Sequence, residues 1–138
     1  MSSLITSNIS DGTTSVPTGY VVNGSAKAWV NFNGQGTLSV RDSLNTSSVA
    51  DNGVGNNTQS FTSSFANTSY SMTSSNLAEY NHPRGVWGTA LAVDGLGVEV
   101  GKAASSVLLY TSYNASSTAN GGAADYSTLC VHLFGDLA

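Results

Sequence analysis

Apolar and polar residues alternate along short stretches of this chain, and a period of two residues predicts β-strands. The clearest stretch is residues 26–32, which places small and apolar side chains on one side and Trp29 with polar neighbours on the other. A Gly-rich break at residues 33–36 is followed by a second alternating run at residues 37–41. Residues 26–41 are therefore predicted to form a β-hairpin.

The same alternation recurs to the end of the chain. Strands are also predicted at residues 20–22, 46–49, 60–65, 69–73, 86–93, 98–100, 106–112 and 126–134. The densest turn signal, at residues 51–57, separates two of them, and no stretch has a sustained helical period. About eight strands at a spacing of roughly 8–12 residues are typical of sandwiches and barrels. We expect one all-β domain, an antiparallel, jelly-roll-like β-sandwich.

The first residues differ from the rest. Residues 1–20 are predicted to form an extended N-terminal arm, and residues 21–138 the sandwich module. The arm is rich in Ser and Thr, has a turn signal at Asp11-Gly12, and contains a proline that cannot donate to a strand ladder. Its sizeable apolar residues, Leu4, Ile5 and Ile9, either anchor the arm on another surface or belong to a frayed terminus.

Composition excludes several classes of partner. Only 9% of the residues are charged and the net charge is −4, so nucleic acid and anionic membranes are not expected partners. No apolar run approaches the length of a membrane span. The N-terminus lacks the basic start and apolar core of a secretory signal, and a single cysteine allows no internal disulfide. We expect synthesis in a reducing cytoplasm without export.

Residues that could perform catalysis are scattered. His82 and His132 lie fifty residues apart, and neither has a metal ligand or a paired carboxylate at a suitable spacing. Glu79 is the only acid near His82, which is a weak acid–base signal. We therefore predict no enzyme activity, no cofactor and no metal site.

Two groups of residues suggest contacts instead. Trp29, Cys130 and Phe134 lie on the second face of apolar strands, which indicates either another buried layer or, as we prefer, a subunit interface. Aromatic, imidazole and guanidinium groups could recognise a sugar or a protein surface. We assign a receptor-binding role on this basis to Tyr80, His82, Arg84 and Tyr113, although an ordinary loop explains the pattern equally well.

A resemblance to a known family rests on particular runs. Residues 26–34 read AKAWVNFNG, residues 41–45 read RDSLN, residues 51–55 read DNGVG, and the chain closes with YSTLCVHLFGDLA. These runs resemble a module of tail-fibre and related virion proteins of bacteriophages, many of them marine. The match covers about half of the chain and leaves residues 66–124 without a counterpart.

This resemblance implies a β-sandwich knob in a virion fibre, usually a homotrimer, with no enzyme activity and no cofactor. We therefore expect a virion structural protein, made in the host bacterium, that contributes to attachment to a host surface glycan. Family members carry the module at the end of a longer chain, whereas only a short arm precedes it here. The alternatives are a capsid decoration or head-fibre protein whose arm binds other virion proteins, and a stand-alone carbohydrate-binding module.

Overall fold

The computed structural model describes residues 5–76, 86–91, 101–113 and 122–138, with the backbone alone for residues 86–91 and 113. The described residues form twelve strands and one helix. In chain order these are β1 (Asn8–Ser10), β2 (Ser15–Pro17), α1 (Thr18–Gly24), β3 (Ala28–Asn33), β4 (Ser39–Leu44), β5 (Thr46–Gly53), β6 (Asn56–Phe61), β7 (Ser71–Asn76), β8 (Val86–Leu91), β9 (Lys102–Ala103), β10 (Ser106–Tyr113), β11 (Gly122–Ala123) and β12 (Leu129–Phe134). The strand predicted at residues 98–100 lies outside the described residues.

Two antiparallel sheets form the body. The four-stranded sheet has the order β4-β3-β12-β7. In the six-stranded sheet β5, β6 and β10 are neighbours, and β8, β9 and β11 also pair with β10. The prediction of an all-β antiparallel sandwich is confirmed, whereas its jelly-roll connectivity stays a prediction.

The core lies between the two sheets because the alternation of each strand places apolar side chains there. In β3 and β12 every second residue is buried. The opposite sheet adds Val107 and Leu109 from β10, both fully buried. An aromatic cluster closes one end, where the Phe65 ring lies 5.0 Å from that of Phe61 and 4.5 Å from that of Tyr70. Removal of this apolar surface from water, at about 25 cal/mol per Å², is the main stabilising term.

The predicted hairpin and the predicted turn at residues 51–57 differ in how closely the structure follows them. The hairpin of β3 and β4 is confirmed, with a bulge opposite Asn31 and Phe32 and with Gly36 at a φ of +63°. The turn predicted at residues 51–57 is shorter than expected, because β5 continues to Gly53 and β6 begins at Asn56. Asn56 and Asn57 signal a turn by type, but here both pair with β10.

The inner face of β6 is partly polar. Asn57 and Gln59 are 1% and 0% exposed, and the Gln59 amide Nε2 donates to the Thr46 hydroxyl at 2.8 Å. Among the described residues, Asn57 Nδ2 and Gln59 Oε1 have no hydrogen-bond partner. An unpaired buried polar group costs about 1–3 kcal/mol, and Asn76 Nδ2 of β7 in the other sheet is a third such group.

The N-terminal segment is folded instead of extended. β1 and β2 pair as a hairpin around the Asp11-Gly12 turn. The strand predicted at residues 20–22 is wrong, because these residues belong to α1. The Ser25 hydroxyl at 3.1 Å and the Lys27 ammonium both donate to the Val22 carbonyl near the helix end, which satisfies an otherwise unpaired acceptor. Residues 20–22 alternate, but three residues alone do not reveal the contact between Val22 and Lys27.

Candidate functional site

The candidate site is the side of the four-stranded sheet that points away from the core, called here the outer face. Its side chains are the outward residues of β3, β4, β7 and β12. Trp29, Cys130 and Phe134 are each half-buried and occupy the outward positions of β3 and β12. The structure therefore places all three residues of the predicted interface on one surface.

One row of residues crosses the outer face from edge to edge. Trp29 lies opposite Leu44 on β4 and opposite His132 on β12, and His132 in turn lies opposite Thr73 on β7. Directly opposed residues of antiparallel strands have Cβ atoms about 4.5–5.5 Å apart, so their side chains are neighbours. Leu44 is 49% exposed and extends the apolar surface around Trp29. Sequence reasoning missed it because the bulge at Arg41 reverses the alternation of β4, so that Leu44 lies on the face opposite to that of Val40.

A second row is polar. Asn31 lies opposite Asp42 and Cys130, and its Oδ1 accepts a hydrogen bond from the Arg41 guanidinium at 3.1 Å. Arg41 also donates to the Ser127 carbonyl, which holds the guanidinium near the N-terminal end of β12. An apolar centre with ordered polar groups beside it is typical of protein–protein interfaces.

The opposite outer surface, on the six-stranded sheet, has a different chemistry. Its outward side chains on β6 include Asn56 and Thr58, both polar. The Asn52 amide donates to the Thr58 hydroxyl at 2.8 Å, and the Asn56 amide donates to the Tyr110 hydroxyl at 3.3 Å. The same surface also carries Leu108, half-buried, and Tyr110, 39% exposed, from β10.

The N-terminal segment exposes its apolar residues. Ile5 and Ile9, predicted as anchoring residues, are 94% and 48% exposed, and no residue of α1 is buried. Tyr20 of α1 is itself 75% exposed. Leu4, the third predicted anchor, lies outside the described residues. The arm thus leaves apolar surface uncovered by its own chain.

The predicted receptor-binding residues are mostly outside the part of the chain that the structure describes. This holds for Tyr80, His82 and Arg84. Tyr113 ends β10, where its backbone pairs with Val86 and Gly122. A receptor-binding role for these four residues stays a prediction.

Two ionisable groups have shifted pKa values, and both lie away from the outer face. The backbone N–H groups of Thr14 and Thr13 donate to the Asp11 carboxylate at 2.7 and 2.9 Å and lower its pKa. Burial raises the pKa of Tyr126, whose hydroxyl donates to the Ser112 carbonyl at 2.9 Å. Both arrangements stabilise local structure, one in the arm and one at the end of the core.

The described residues contain no group of three or more His, Cys, Asp or Glu side chains that could hold a metal ion. In the same part of the chain, no helix has the length and apolar character needed to cross a membrane. The outer face itself offers contact surface and hydrogen bonds. Comparison with protein-family models, with curated proteins and with solved structures found no match to this chain.

Proposed function

We propose that this protein is a structural component of a bacteriophage virion, a homotrimeric β-sandwich module on the particle exterior that contributes to attachment to the host surface. The observation that supports this most is the outer face, where Trp29, Leu44, Cys130 and Phe134 present apolar surface among polar neighbours such as Asn31 and His132. An exposed patch of this kind is typical of a contact with another protein.

The occupant of the outer face is a second copy of this chain. Four strands about 4.8 Å apart, each about six residues long, give the face a projected area of about 400 Å². A stable interface buries about 800 Å² on each partner, so a neighbouring subunit must also contact surface beside the face. The arm precedes β3 in the chain and carries exposed apolar side chains that could add to this contact.

The runs that resemble phage fibre modules support the same proposal. Residues 26–34 contain β3, and the closing run contains β12. These two strands are neighbours at the centre of the four-stranded sheet, with Val30 opposite Val131. The resembling segments, distant in sequence, thus build one structural unit together with its outer face.

The N-terminal arm binds another virion protein. Its exposed apolar residues, Ile5 and Ile9 among them, provide the contact surface. Attachment of several linked modules to one surface raises the overall affinity well above that of a single site. Weak binding by each module is therefore sufficient for host attachment.

Gold-labelled antibody against this chain, applied to purified virions, tests the location. Label at the tail end is expected for a fibre module. Label over the capsid would replace the fibre role by that of a decoration or head-fibre protein, with particle stability as the next assay. No label on any particle would contradict a virion role altogether.

A further inference from the structure

A cleft opens at one end of the sandwich, away from the centre of the outer face. It has a volume of about 390 Å³ and lies between the end of α1, the segment before β7 and the residues after β12. Its walls include Asn23, Asn67, Ser69, Phe134 and Asp136. This volume is at the lower end of the range of small-molecule sites, which is roughly 300–1,000 Å³.

The floor of the cleft is rigid because two backbone segments touch there. A Cβ atom added to Gly135 would lie 2.7 Å from the Cβ of Tyr70, so only glycine fits. The Tyr70 ring packs on Phe65, and its hydroxyl lies 3.1 Å from the carbonyl oxygens of Ala103 and Ser106. The floor is thus fixed before any ligand arrives, which lowers the entropic cost of binding.

The walls are joined by backbone hydrogen bonds. The Ala66 N–H donates to the Asp136 carbonyl, and the Ala138 N–H donates to the Ser64 carbonyl, at 2.8 and 2.9 Å. Within the first wall, the Ser69 N–H donates to Asn67 Oδ1 at 2.8 Å. This bond orients the Asn67 amide, whose Nδ2 remains able to donate to a ligand.

The chemistry of the lining selects one class of ligand. Amide and hydroxyl groups donate and accept hydrogen bonds, the exposed Asp136 carboxylate accepts them, and the half-buried Phe134 ring provides an apolar surface. Among the described residues no Lys or Arg lines the cleft, so an anion would meet the repulsion of the Asp136 carboxylate there. A sugar ring presents hydroxyl groups along its edges and C–H groups on its faces, which matches this lining.

We propose that this cleft binds one ring of a neutral saccharide. The site would give the proposed host attachment its ligand class and its location, and its described lining residues all belong to one chain. Phe134 is also a residue of the proposed interface, so the neighbouring subunit must leave this end of β12 open. None of the cleft's described lining residues is one of the receptor-binding residues predicted from the sequence.

Saturation-transfer difference NMR on the full chain tests this proposal. The probes are the methyl glycosides of glucose, galactose, mannose and N-acetylglucosamine, with N-acetylneuraminic acid as the anionic comparator. Saturation transfer to at least one neutral glycoside and none to the anionic sugar is expected. Absence of transfer to all four neutral probes would overturn the proposal.

A matched pair of variants locates the binding. Asp136→Asn removes the carboxylate from the cleft, and Asp51→Asn removes one from the remote hairpin of β5 and β6 with the same change in net charge. Hydrogen bonds to charged groups are worth about 1.5–3 kcal/mol, so Asp136→Asn should weaken binding at least roughly tenfold. Asp51→Asn should leave it unchanged. Equal binding by both variants would show that the sugar sits elsewhere.

The same experiment separates this proposal from that of self-association. Binding per chain should be the same in the native protein and in a variant that no longer assembles, such as Trp29→Glu. If the native protein is a monomer but binds a neutral glycoside, the cleft proposal stands and the trimer proposal fails. If it is a trimer that binds none of the probes, the opposite holds.

Discussion

The two sheets of the sandwich share one core but differ on both of their faces. The four-stranded sheet is apolar inside, through Val30 and Val131, and has Trp29 and Phe134 outside. The six-stranded sheet buries Asn57 and Gln59 inside, and outside it presents hydrogen-bonded polar side chains on β6 beside Leu108 and Tyr110 of β10.

This difference supports the position proposed for the subunit interface. A strand that faces water on one side alternates apolar and polar residues, as β6 does with its outward Asn, Thr and Ser. β3 and β12 depart from this alternation on their outer sides, where the large apolar side chains of Trp29 and Phe134 lie among polar neighbours such as Asn31 and His132. The outer face is therefore where we place the neighbouring subunit.

The largest expected effect is the loss of unfolding free energy when a glycine in the turn of a hairpin is replaced by alanine. Gly36 in the four-stranded sheet and Gly55 in the six-stranded sheet have φ values of +63° and +65°. A Cβ at Gly55 would lie 2.3 Å from the Thr111 carbonyl oxygen, whereas a Cβ at Gly36 meets nothing within 4 Å. Gly36→Ala should cost about 1–2 kcal/mol from the backbone conformation alone. Gly55→Ala should cost more than about 3 kcal/mol, measured by urea unfolding.

The Gly36 variant is the control for backbone strain, because the two positions share the same φ and differ in the space around them. An equal loss of unfolding free energy in both variants would mean that the close approach of Gly55 to β10 does not stabilise the six-stranded sheet.

The next largest effect is expected from substitutions on the outer surfaces of the two sheets. Trp29→Glu places a charge at the centre of the outer face, and Thr58→Glu places the same charge on the outer surface of the six-stranded sheet. Loss of a central interface tryptophan costs at least about 2 kcal/mol, so association should weaken at least roughly 30-fold in the first variant alone. Analytical ultracentrifugation measures both. Equal association of the two variants would place the interface elsewhere.

Gln59→Leu makes the inner face of the six-stranded sheet more apolar and therefore more like that of the four-stranded sheet. This change removes a buried acceptor that lacks a partner and fills the same space with an apolar side chain. The gain should be about 1 kcal/mol, reduced by loss of the bond to Thr46. Chemical denaturation measures it, with Gln59→Ala as the variant in which a cavity should offset the gain. Destabilisation by leucine would contradict the view that this amide is a weak point of the core.

The smallest expected effect is that of protonating Asp11 in the N-terminal arm, which belongs to neither sheet. Hydrogen bonds from Thr14 and Thr13 lower the pKa of Asp11 in the folded hairpin. The charged carboxylate therefore stabilises the hairpin fully at a pH above 3.8, the ordinary pKa of this side chain. This stabilisation is lost as the pH falls below 3.8 and through the lower pKa of the folded hairpin. NMR shifts of the two Thr amides should follow a midpoint below 3.8, while β3 amides stay unchanged. A midpoint at or above 3.8 would contradict this role for the carboxylate.

Much of the body could be predicted from the sequence, because alternation reports directly on a face that is buried. The pattern of residues 26–32 predicted which side of β3 faces the core and which side holds Trp29. The same reasoning placed Cys130 and Phe134 on the second side of β12. Their convergence on one surface with Trp29 required the pairing of β3 with β12, which local pattern does not contain.

Other features depend on contacts between distant residues. α1 was missed because Lys27, beyond the helix, satisfies a carbonyl near its end. The start of β6 was missed because Asn57 is a turn residue by type and becomes a strand residue only by pairing with Leu109. The cleft joins Asn23, Asn67 and Asp136 across more than a hundred residues, so no motif could indicate it.

The measurement that tests the central proposal most directly is the mass of the native protein in solution, by size-exclusion chromatography with light scattering at micromolar concentration. We expect three times the 14.1 kDa mass of one chain, because the apolar outer face is covered by neighbouring copies. A single species of 14.1 kDa would show that the outer face stays open to water and would contradict the assembly role.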